Sequence, residues 1–268
     1  MKILITGSKG FVGTNLSRLL SKKNEVIEYD IKNGRDIFDT KLLNSNLKNV
    51  EVVIHLAAYV SGNESWEKPL DYFMNNGIGT FKVIEAAIKN KVKRIIIFSS
   101  AAVYGKPLTP YGASKVFAEA ISNSYKDRIE TIVLRPFNIY GKGQNPAYGY
   151  AIHNFYKGIK NDGEIEIYGD GNQTRDFVYI DDVVKIVEIM LTARVPAQPV
   201  DVGTGKEVKI LNLAEYIGKV ADKPYKIKFL EPRNEIIRSK ASTIELKRLG
   251  IDARIFQPLR NGLKMTLT

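Results

Sequence analysis

Lys2-Ile3-Leu4-Ile5-Thr6-Gly7-Ser8-Lys9-Gly10-Phe11-Val12-Gly13 begins as an apolar run, turns through glycines and enters a helical pattern that continues through Leu16, Leu19 and Leu20. Strand, glycine turn, helix is the order. Glycines at 7, 10 and 13 let the backbone turn tightly, approach a pyrophosphate and pack the helix on a sheet, with the helix amino end facing the phosphates. The spacing is G-x-x-G-x-x-G, one residue longer than the usual dinucleotide fingerprint. A second strand, Glu25 to Tyr29, delivers Asp30, whose carboxylate can accept both hydroxyls of an adenosine ribose and would repel a 2'-phosphate. NAD is therefore favoured over NADP, with Lys32 nearby as the one feature on the other side.

Outward from this unit, strand and helix keep alternating. Val50 to Leu56 is a nearly unbroken apolar strand, as in a parallel sheet covered on both faces, and Ala57-Ala58 at its carboxyl end leaves room for a ligand. His55 within it reads as structural. Trp66 to Asn90 reads as one or two helices, with Phe81, Ile84, Ala87 and Ile88 on one stripe. Lys93 to Phe98 is another strand that brings Ser99-Ser100 to the same carboxyl edge. Glu130 to Leu134 ends there too, in Arg135-Pro136-Phe137-Asn138-Ile139-Tyr140-Gly141. This order predicts an α/β fold with a Rossmann-type doubly wound parallel sheet; the smaller C-terminal α/β substrate-binding lobe is what the chain's resemblance to a known family implies. The expected bounds are 1–141 for the NAD-binding domain, with a return segment at about 176–205, and 142–175 with 206–268 for the lobe.

After a connection that contains Pro107 and Pro110, Tyr111-Gly112-Ala113-Ser114-Lys115 reads as the opening turn of a helix with Val116, Phe117, Ala120 and Ile121 as its apolar face. Four residues apart means one face, so the Tyr111 phenol and Lys115 ammonium address a common pocket. Moving a phenol from a pKa near 10 to about 7 takes roughly 4 kcal/mol of preference for phenolate, and a cation about 4 Å away at a surface-like dielectric supplies about that much. An interfacial tyrosine beside a solvated lysine has the same spacing, so the surrounding motifs decide what the pair means.

With 268 residues, 44% apolar and 10% aromatic, the chain can bury one large core or a core plus a smaller lobe. There is no cysteine and there are only two histidines, which excludes disulfides and a cysteine nucleophile and leaves no metal site to expect. No stretch reads as a signal peptide or membrane span, so a cytoplasmic location and no membrane partner are expected. The formal charge of +11 is scattered along the chain rather than gathered in a tract, which points to a solvated surface and no nucleic-acid partner. A basic field also suits a polyanionic small molecule.

Thr6 to Gly13, Asp30, His55-Leu56-Ala57-Ala58, Asn76 to Thr80, Ser99 to Gly105, Tyr111 to Lys115, Arg135 to Gly141 and Ile167 to Asp182 follow a known family order. The sequence resembles the extended short-chain dehydrogenases/reductases of the NAD-dependent sugar-nucleotide epimerase/dehydratase family, most closely the UDP-glucose 4-epimerases. That resemblance implies NAD held by Gly7, Gly10, Phe11, Val12, Gly13 and Asp30, with Asp36 and Ile37 flanking the adenine. It adds Leu56, Ala57, Ala58, Asn76, Ser99, Tyr111, Lys115 and Pro136 to the cofactor site. Ser100, Tyr111 and Lys115 are the implied catalytic residues. Tyr111 as phenolate takes the 4'-hydroxyl proton while hydride passes from C4' to the nicotinamide, Ser100 hydrogen-bonds the sugar hydroxyl, and Lys115 holds the nicotinamide ribose and lowers the tyrosine pKa. In an epimerase the 4-keto sugar then turns over and takes the hydride back on its other face. Substrate contacts carried over in the same way are Ser100, Tyr111, Asn138, Arg175 and Arg233, with Tyr168 against the base. A homodimer through the helices at 80–90 and 113–125 is a further family expectation.

The branch turns on the two residues after Ser100. The related 4,6-dehydratases carry Thr-Asp-Glu before Val-Tyr-Gly and use the two acids to eliminate water, and decarboxylating relatives keep the glutamate; here the positions are Ala101 and Ala102. An epimerase acting on a UDP-sugar rather than a dTDP-sugar is expected. The alternatives are a dehydratase, decarboxylase or reductase of the same family, or a non-catalytic NAD-binding sensor. The 106–110 loop is shorter than usual in these epimerases, and a small residue at Ser239, where the family gates its sugar pocket, hints that an N-acetyl group is tolerated. Asp181-Asp182 reads as a helix cap and His153 as a helix-surface residue.

Overall fold

The computed structural model describes residues 1–146, 151–232 and 236–268. The chain forms two compact units, Met1–Pro136 with Val184–Asp201, and Phe137–Val183 with Val202–Thr268.

The first unit is built on strands β1 (Lys2–Thr6), β2 (Glu25–Tyr29), β3 (Val52–His55), β4 (Arg94–Phe98) and β5 (Glu130–Pro136). With the strand Val200–Val202 they make a six-stranded sheet in the order Val200–Val202, β5, β4, β3, β1, β2. The pairs β1·β2, β1·β3, β3·β4 and β4·β5 are all parallel. Every residue of β3 and β4 is buried, which is why these stretches read as unbroken Val/Ile runs. Strand order reverses between β1 and β3, so the crevice outside their carboxyl ends is the ligand position of an open parallel sheet.

The helices of this unit are α1 (Phe11–Leu20), α2 (Thr40–Asn46), α3 (Glu64–Glu67), α4 (Pro69–Tyr72), α5 (Gly79–Lys89) and α6 (Pro110–Ser124). A π-helical turn, Phe73–Ile78, joins α4 to α5. The expected one or two helices over 66–90 are thus three helical pieces and a bulge. Ile84 and Ala87 are buried as expected, whereas Phe81 is exposed. The apolar face expected for α6 is corrected in part, since of its four residues Ile121 packs against the core. Val116, Phe117 and Ala120 face solvent, and the buried side carries Gly112, Ser114, Lys115, Ala118 and Ser122. The polar groups can be inside because each has a partner there. Ser114 Oγ donates to Tyr111 O, Ser122 Oγ to Ala118 O and Lys115 Nζ to Phe98 O.

The second unit contains β6 (Asn138–Tyr140), α7 (Ala151–Asn161), β7 (Glu164–Tyr168), β8 (Thr174–Arg175) and β9 (Phe177–Tyr179). Helix α8 (Ile180–Met190) carries the chain back to the first unit, and β10 (Val200–Val202) brings it out again. Then follow β11 (Val208–Lys209), α9 (Ile210–Ala221), β12 (Lys226–Leu230), α10 (Ile244–Arg248) and α11 (Leu259–Leu267). Its strands pair as parallel β6·β9 and β7·β12 and antiparallel β8·β11. The hub is Asp176, fully buried, whose carboxylate accepts Thr204 N, Thr204 Oγ1, Gly205 N and Ala241 N at 3.0, 2.6, 2.8 and 3.2 Å. A buried charge is tolerable only when so satisfied.

Asp181 and Asp182 lie in the first turn of α8, and Asp182 Oδ2 accepts Gln257 N at 2.7 Å. His153 is not a free surface residue. It is half-buried, its Nε2 is sealed from solvent without a partner among the described residues, and burial lowers its pKa.

Candidate active site

The β1–α1 loop shows why glycine stands where it does. Gly7 has φ +70°, and a Cβ there would fall 2.7 Å from Ala57 N, in the backbone that leaves β3. At Gly13 a Cβ would fall 2.2 Å from Gly7 O. The two strand ends and the helix therefore meet with no space for side chains. Gly10 caps α1 in extended conformation with no side-chain hydrogen bond, so the first-turn N–H groups, from Phe11 onward, remain available to an anion. Ser8 Oγ is buried beside them and has no partner among the described residues.

Asp30 closes the other side. Its Oδ2 accepts Lys9 N at 2.8 Å and its Oδ1 accepts Lys32 N at 2.9 Å, which fixes the carboxylate and leaves each oxygen a further lone pair. A donor-rich loop, an uncapped helix end and a two-oxygen acceptor fit the pyrophosphate and ribose of a dinucleotide.

The flanking residues divide. Asp36 Oδ1 accepts Phe38 N and its carbonyl accepts the Tyr29 hydroxyl, both within the turn itself. Ile37 packs its side chain into the core with Leu43, Leu47 and Val83, so only its main chain is left for an adenine. Leu56 N and Ala57 N both point at Thr6 Oγ1, at 3.2 and 3.3 Å, and Ala58 is half-buried just beyond.

Asn76 is bonded within the protein. Nδ2 donates to Tyr59 O and to Ser114 Oγ, each at 3.0 Å, and Oδ1 accepts Tyr59 N at 2.8 Å. Both amide hydrogens are engaged inside the protein, where Asn76 orients the segment at 59 and the first turn of α6. The π turn puts it there.

The reactive groups gather at the carboxyl edge. Ser100 caps the 3₁₀ turn Ala101–Tyr104, its Oγ accepting Ala102 N at 3.1 Å, which leaves its hydroxyl hydrogen to donate. Ser99, buried, instead donates to Glu119 Oε1 at 2.5 Å. Thr109 caps α6 through Gly112 N and Pro110 takes the first helical position, so Tyr111 and Lys115 fall on one face one turn apart. The Tyr111 ring meets Tyr72 edge to face at 6.2 Å.

Lys115 is buried, with its ammonium donating to Phe98 O at 2.8 Å. Burial pushes its pKa down to about 8, and the Glu119 carboxylate works against that fall. His55 lies between Thr6 Oγ1 at 2.7 Å and Thr80 Oγ1 at 3.0 Å. Burial and the Lys115 charge push its pKa down to about 3, so it stays neutral and structural. Pro136 is half-buried at the end of β5.

Residues that sequence analysis did not single out complete this edge. Arg135 binds Glu119 through two nitrogens and donates to the Tyr104 hydroxyl, which itself donates to Asp201. The signal available was the i, i+4 spacing from Lys115 to Glu119.

In the second unit, Asn138 N and Nδ2 both donate to Asp176 O, at 3.0 and 2.9 Å. Arg175 Nη1 donates to Thr174 O at 2.9 Å and to Ile236 O at 2.6 Å, so that end of its guanidinium is held by the main chain. Tyr168 is half-buried and its carbonyl accepts Gln173 Nε2. Ser239 is half-buried with its N–H on Thr174 O. Arg233 lies outside the described residues. Among the described residues no cluster of three His, Asp or Glu could hold a metal, and no helix is long and apolar enough to cross a membrane.

The family model for the NAD dependent epimerase/dehydratase family matches residues 3–203. A putative UDP-glucose 4-epimerase of Methanocaldococcus jannaschii is 34% identical over 94% of this chain and 90% of its own. A dTDP-D-glucose 4,6-dehydratase of Dictyostelium discoideum is 30% identical over 81% of this chain and 61% of its own. The crystal structure of UDP-glucuronic acid 4-epimerase from Bacillus cereus, in complex with UDP-4-deoxy-4-fluoro-glucuronic acid and NAD, superimposes with a TM-score of 0.90 at 28% identity and covers 100% of this chain and 98% of that one.

Proposed function

The chain belongs to the NAD-dependent epimerase/dehydratase family, and from that premise we propose that it interconverts C4 epimers of a nucleotide sugar of the UDP-glucose/UDP-galactose type. The family holds 4-epimerases, dehydratases and decarboxylases, so the branch needs its own support. The observation that carries it is the turn after Ser100. Ala101 and Ala102 there offer no carboxylate to eliminate water or assist loss of CO2, while the Ser100 hydroxyl, Tyr111 and Lys115 remain.

NAD, when bound, supplies a reversible acceptor for the hydrogen on C4 of the sugar. The protein moves the proton. Tyr111 takes it from the 4'-hydroxyl and returns it to the same oxygen once the other face of the carbonyl is presented. Ser100 donates its spare hydrogen to that oxygen, which aligns it and stabilises the charge that builds there. Lys115, buried and cationic below a pKa of about 8, favours the phenolate form of Tyr111. No external oxidant is consumed, because the sugar leaves at the oxidation level at which it entered.

In this proposal the first unit holds NAD through Gly7 to Gly13 and Asp30. The second supplies Asn138, Tyr168, Arg175 and Arg233 to the nucleotide diphosphate, by charge-assisted hydrogen bonds from the two guanidiniums. A UDP-sugar is favoured over a dTDP-sugar by the names of the relatives. The protein acts in the cytoplasm as a homodimer. Support for the dimer is the row of exposed apolar residues along α4, the π turn, α5 and α6, namely Leu70, Met74, Phe81, Val116 and Phe117.

The test is incubation of the NAD-loaded protein with a panel of UDP- and dTDP-sugars, with and without N-acetyl groups, followed by proton NMR. C4 epimers at equilibrium are the expected result. A 4-keto-6-deoxy sugar or CO2 as the main product would overturn the assignment.

A further inference from the structure

Glu119 plays no part in the chemistry above, yet it sits one helical turn beyond Lys115 on α6. Its Oε1 accepts from Ser99 Oγ at 2.5 Å and from Arg135 Nε at 2.8 Å, and its Oε2 accepts from Arg135 Nη2 at 2.6 Å. Arg135 continues outward. Its Nη1 donates to the Tyr104 hydroxyl at 2.7 Å, its guanidinium lies 5.1 Å over the Tyr104 ring, and Tyr104 donates to Asp201 at 2.8 Å. The chain of bonds ties the ends of β4 and β5, the 101–104 turn and β10 to α6. The side chains of Arg135 and Glu119 are only 20% and 13% exposed, so this bidentate pair is far from a solvated surface pair. Both flanks adjoin reactive groups in the chain, since Ser99 precedes Ser100 and Lys115 lies one turn before Glu119.

We propose that Glu119 is a positioning residue of the reaction. It acts through Lys115, beside which it places a negative charge, and through Ser99, whose hydroxyl it fixes, while Arg135 and Tyr104 hold it at that height on the helix. This rests on Tyr111 and Lys115 being the reactive pair. The groups around Lys115 define the balance. Phe98 O on β4 is its hydrogen-bond acceptor, His55 on β3 is neutral, Tyr111 and Glu119 share its helix, and Arg135 on β5 and Tyr104 in the 101–104 turn stand behind Glu119. Tyr72 on α4 meets the Tyr111 ring, Glu64 on α3 is engaged by Lys68 and Tyr72, and Glu85 on α5 faces Arg128 near the far end of α6. Burial favours the neutral amine of Lys115, and Glu119 opposes it.

By Coulomb's law the Glu119 carboxylate favours the ammonium of Lys115, and the Arg135 cation bonded behind it is expected to favour the neutral amine. Removing the carboxylate leaves the Arg135 cation alone, which favours the neutral amine. Removing the guanidinium leaves the carboxylate alone, which favours the ammonium. A brace with only a structural role would loosen in either variant and show no such opposition.

The experiment titrates Lys115 in the NAD-loaded protein by its Cε resonance after 13C-lysine labelling, assigned with Lys115→Arg. Glu119→Gln is expected to lower the midpoint by about one pH unit, a tenfold loss of proton affinity, and Arg135→Met to raise it. Arg135→Lys should leave it near wild type, and Glu119→Asp, which keeps the charge if the Gln variant folds poorly, should shift it less than Gln. In turnover with the UDP-sugar, Glu119→Gln should lose about tenfold or more in kcat near neutral pH with KM nearly unchanged. Midpoints that move the same way in Glu119→Gln and Arg135→Met, or do not move, overturn the proposal. The titration needs no substrate, so a wild-type protein without epimerase activity would sink the functional assignment and leave this one to be decided by the midpoints.

Discussion

The two faces of α6 carry opposite chemistry to the one their sequence advertises. The inward face holds Ser114, Lys115 and Ser122 between small residues, and the outward face holds Val116, Phe117 and Ala120. Ala118 and Ile121 are the apolar residues this helix turns inward, too few to account for its orientation. It stays as it is because the polar groups inside are bonded, Lys115 to Phe98 O, Ser114 to Asn76 and Tyr111 O, Ser122 to Ala118 O, so that their burial costs far less than the burial of bare polar groups. The cost that remains is the desolvated ammonium. The inward face is thus arranged for a charge, and the outward face is the kind of apolar surface a second copy covers.

The largest effect that would test this contrast is chemical. Tyr111→Phe, at the head of the inward face, should lower kcat by about 10² to 10⁴ while leaving NAD content and the melting temperature close to wild type. An unaltered rate in steady-state assays would strip the inward face of its chemical role.

Next in size is acid. His55 faces the Lys115 charge with a folded pKa of about 3, below its unfolded value of about 6.5, so the unfolded chain binds the extra proton. The stability this contributes is present above about 6.5 and lost as pH falls toward about 3, amounting to about 3 kcal/mol at pH 4. Urea titrations at pH 7 and pH 4 should show that loss, and His55→Gln should flatten it.

A smaller effect has the same sign and lies at higher pH. Lys115 is held at about 8 against an unfolded value of about 10.4, so its favourable contribution exists only at alkaline pH and is lost as pH falls through about 8. At neutral pH the buried ammonium is a net cost. Lys115→Met should therefore stabilise the protein by about 2 kcal/mol at pH 7, after allowing for the lost bond to Phe98 O, and abolish turnover. A destabilised Met variant in calorimetry would refute the cost assigned to the buried ammonium.

The outward face should respond least in stability. Val116→Glu is expected to change unfolding free energy by no more than about 1 kcal/mol while converting the proposed dimer to monomer in sedimentation equilibrium. A monomeric wild type would remove the second half of the contrast.

Local patterns in the chain made much of this legible. The Gly7–Gly13 loop, Asp30 at the end of β2, Ser100 after β4 and the Tyr111–Lys115 spacing all rest on neighbours in sequence, and they stand together in the first unit. Other features had no local signature. The π turn Phe73–Ile78 inserts a residue into a helical run that reads as regular, and it is this insertion that aims Asn76 at Tyr59 and Ser114. Ile37 sends its side chain into the core, because α2 and α5 close over it, and keeps only its main chain for the adenine contact that the resemblance implies. Asp176 hides behind Arg175, since its donors come from residues 204, 205 and 241.

By itself the amino-acid sequence determined the parallel α/β framework, the glycine loop between β1 and α1, the carboxylate of Asp30 at the end of β2 and the absence of acids at 101 and 102. Each follows from residue type and spacing within a few positions, where backbone geometry is nearly dictated by sterics. Tertiary structure alone decided which side of α6 is inside, that Lys115 is stripped of water, and that Glu119 and Arg135 form the couple behind it. Those outcomes depend on desolvation and on partners brought from different strands, and neither quantity exists until the chain has folded.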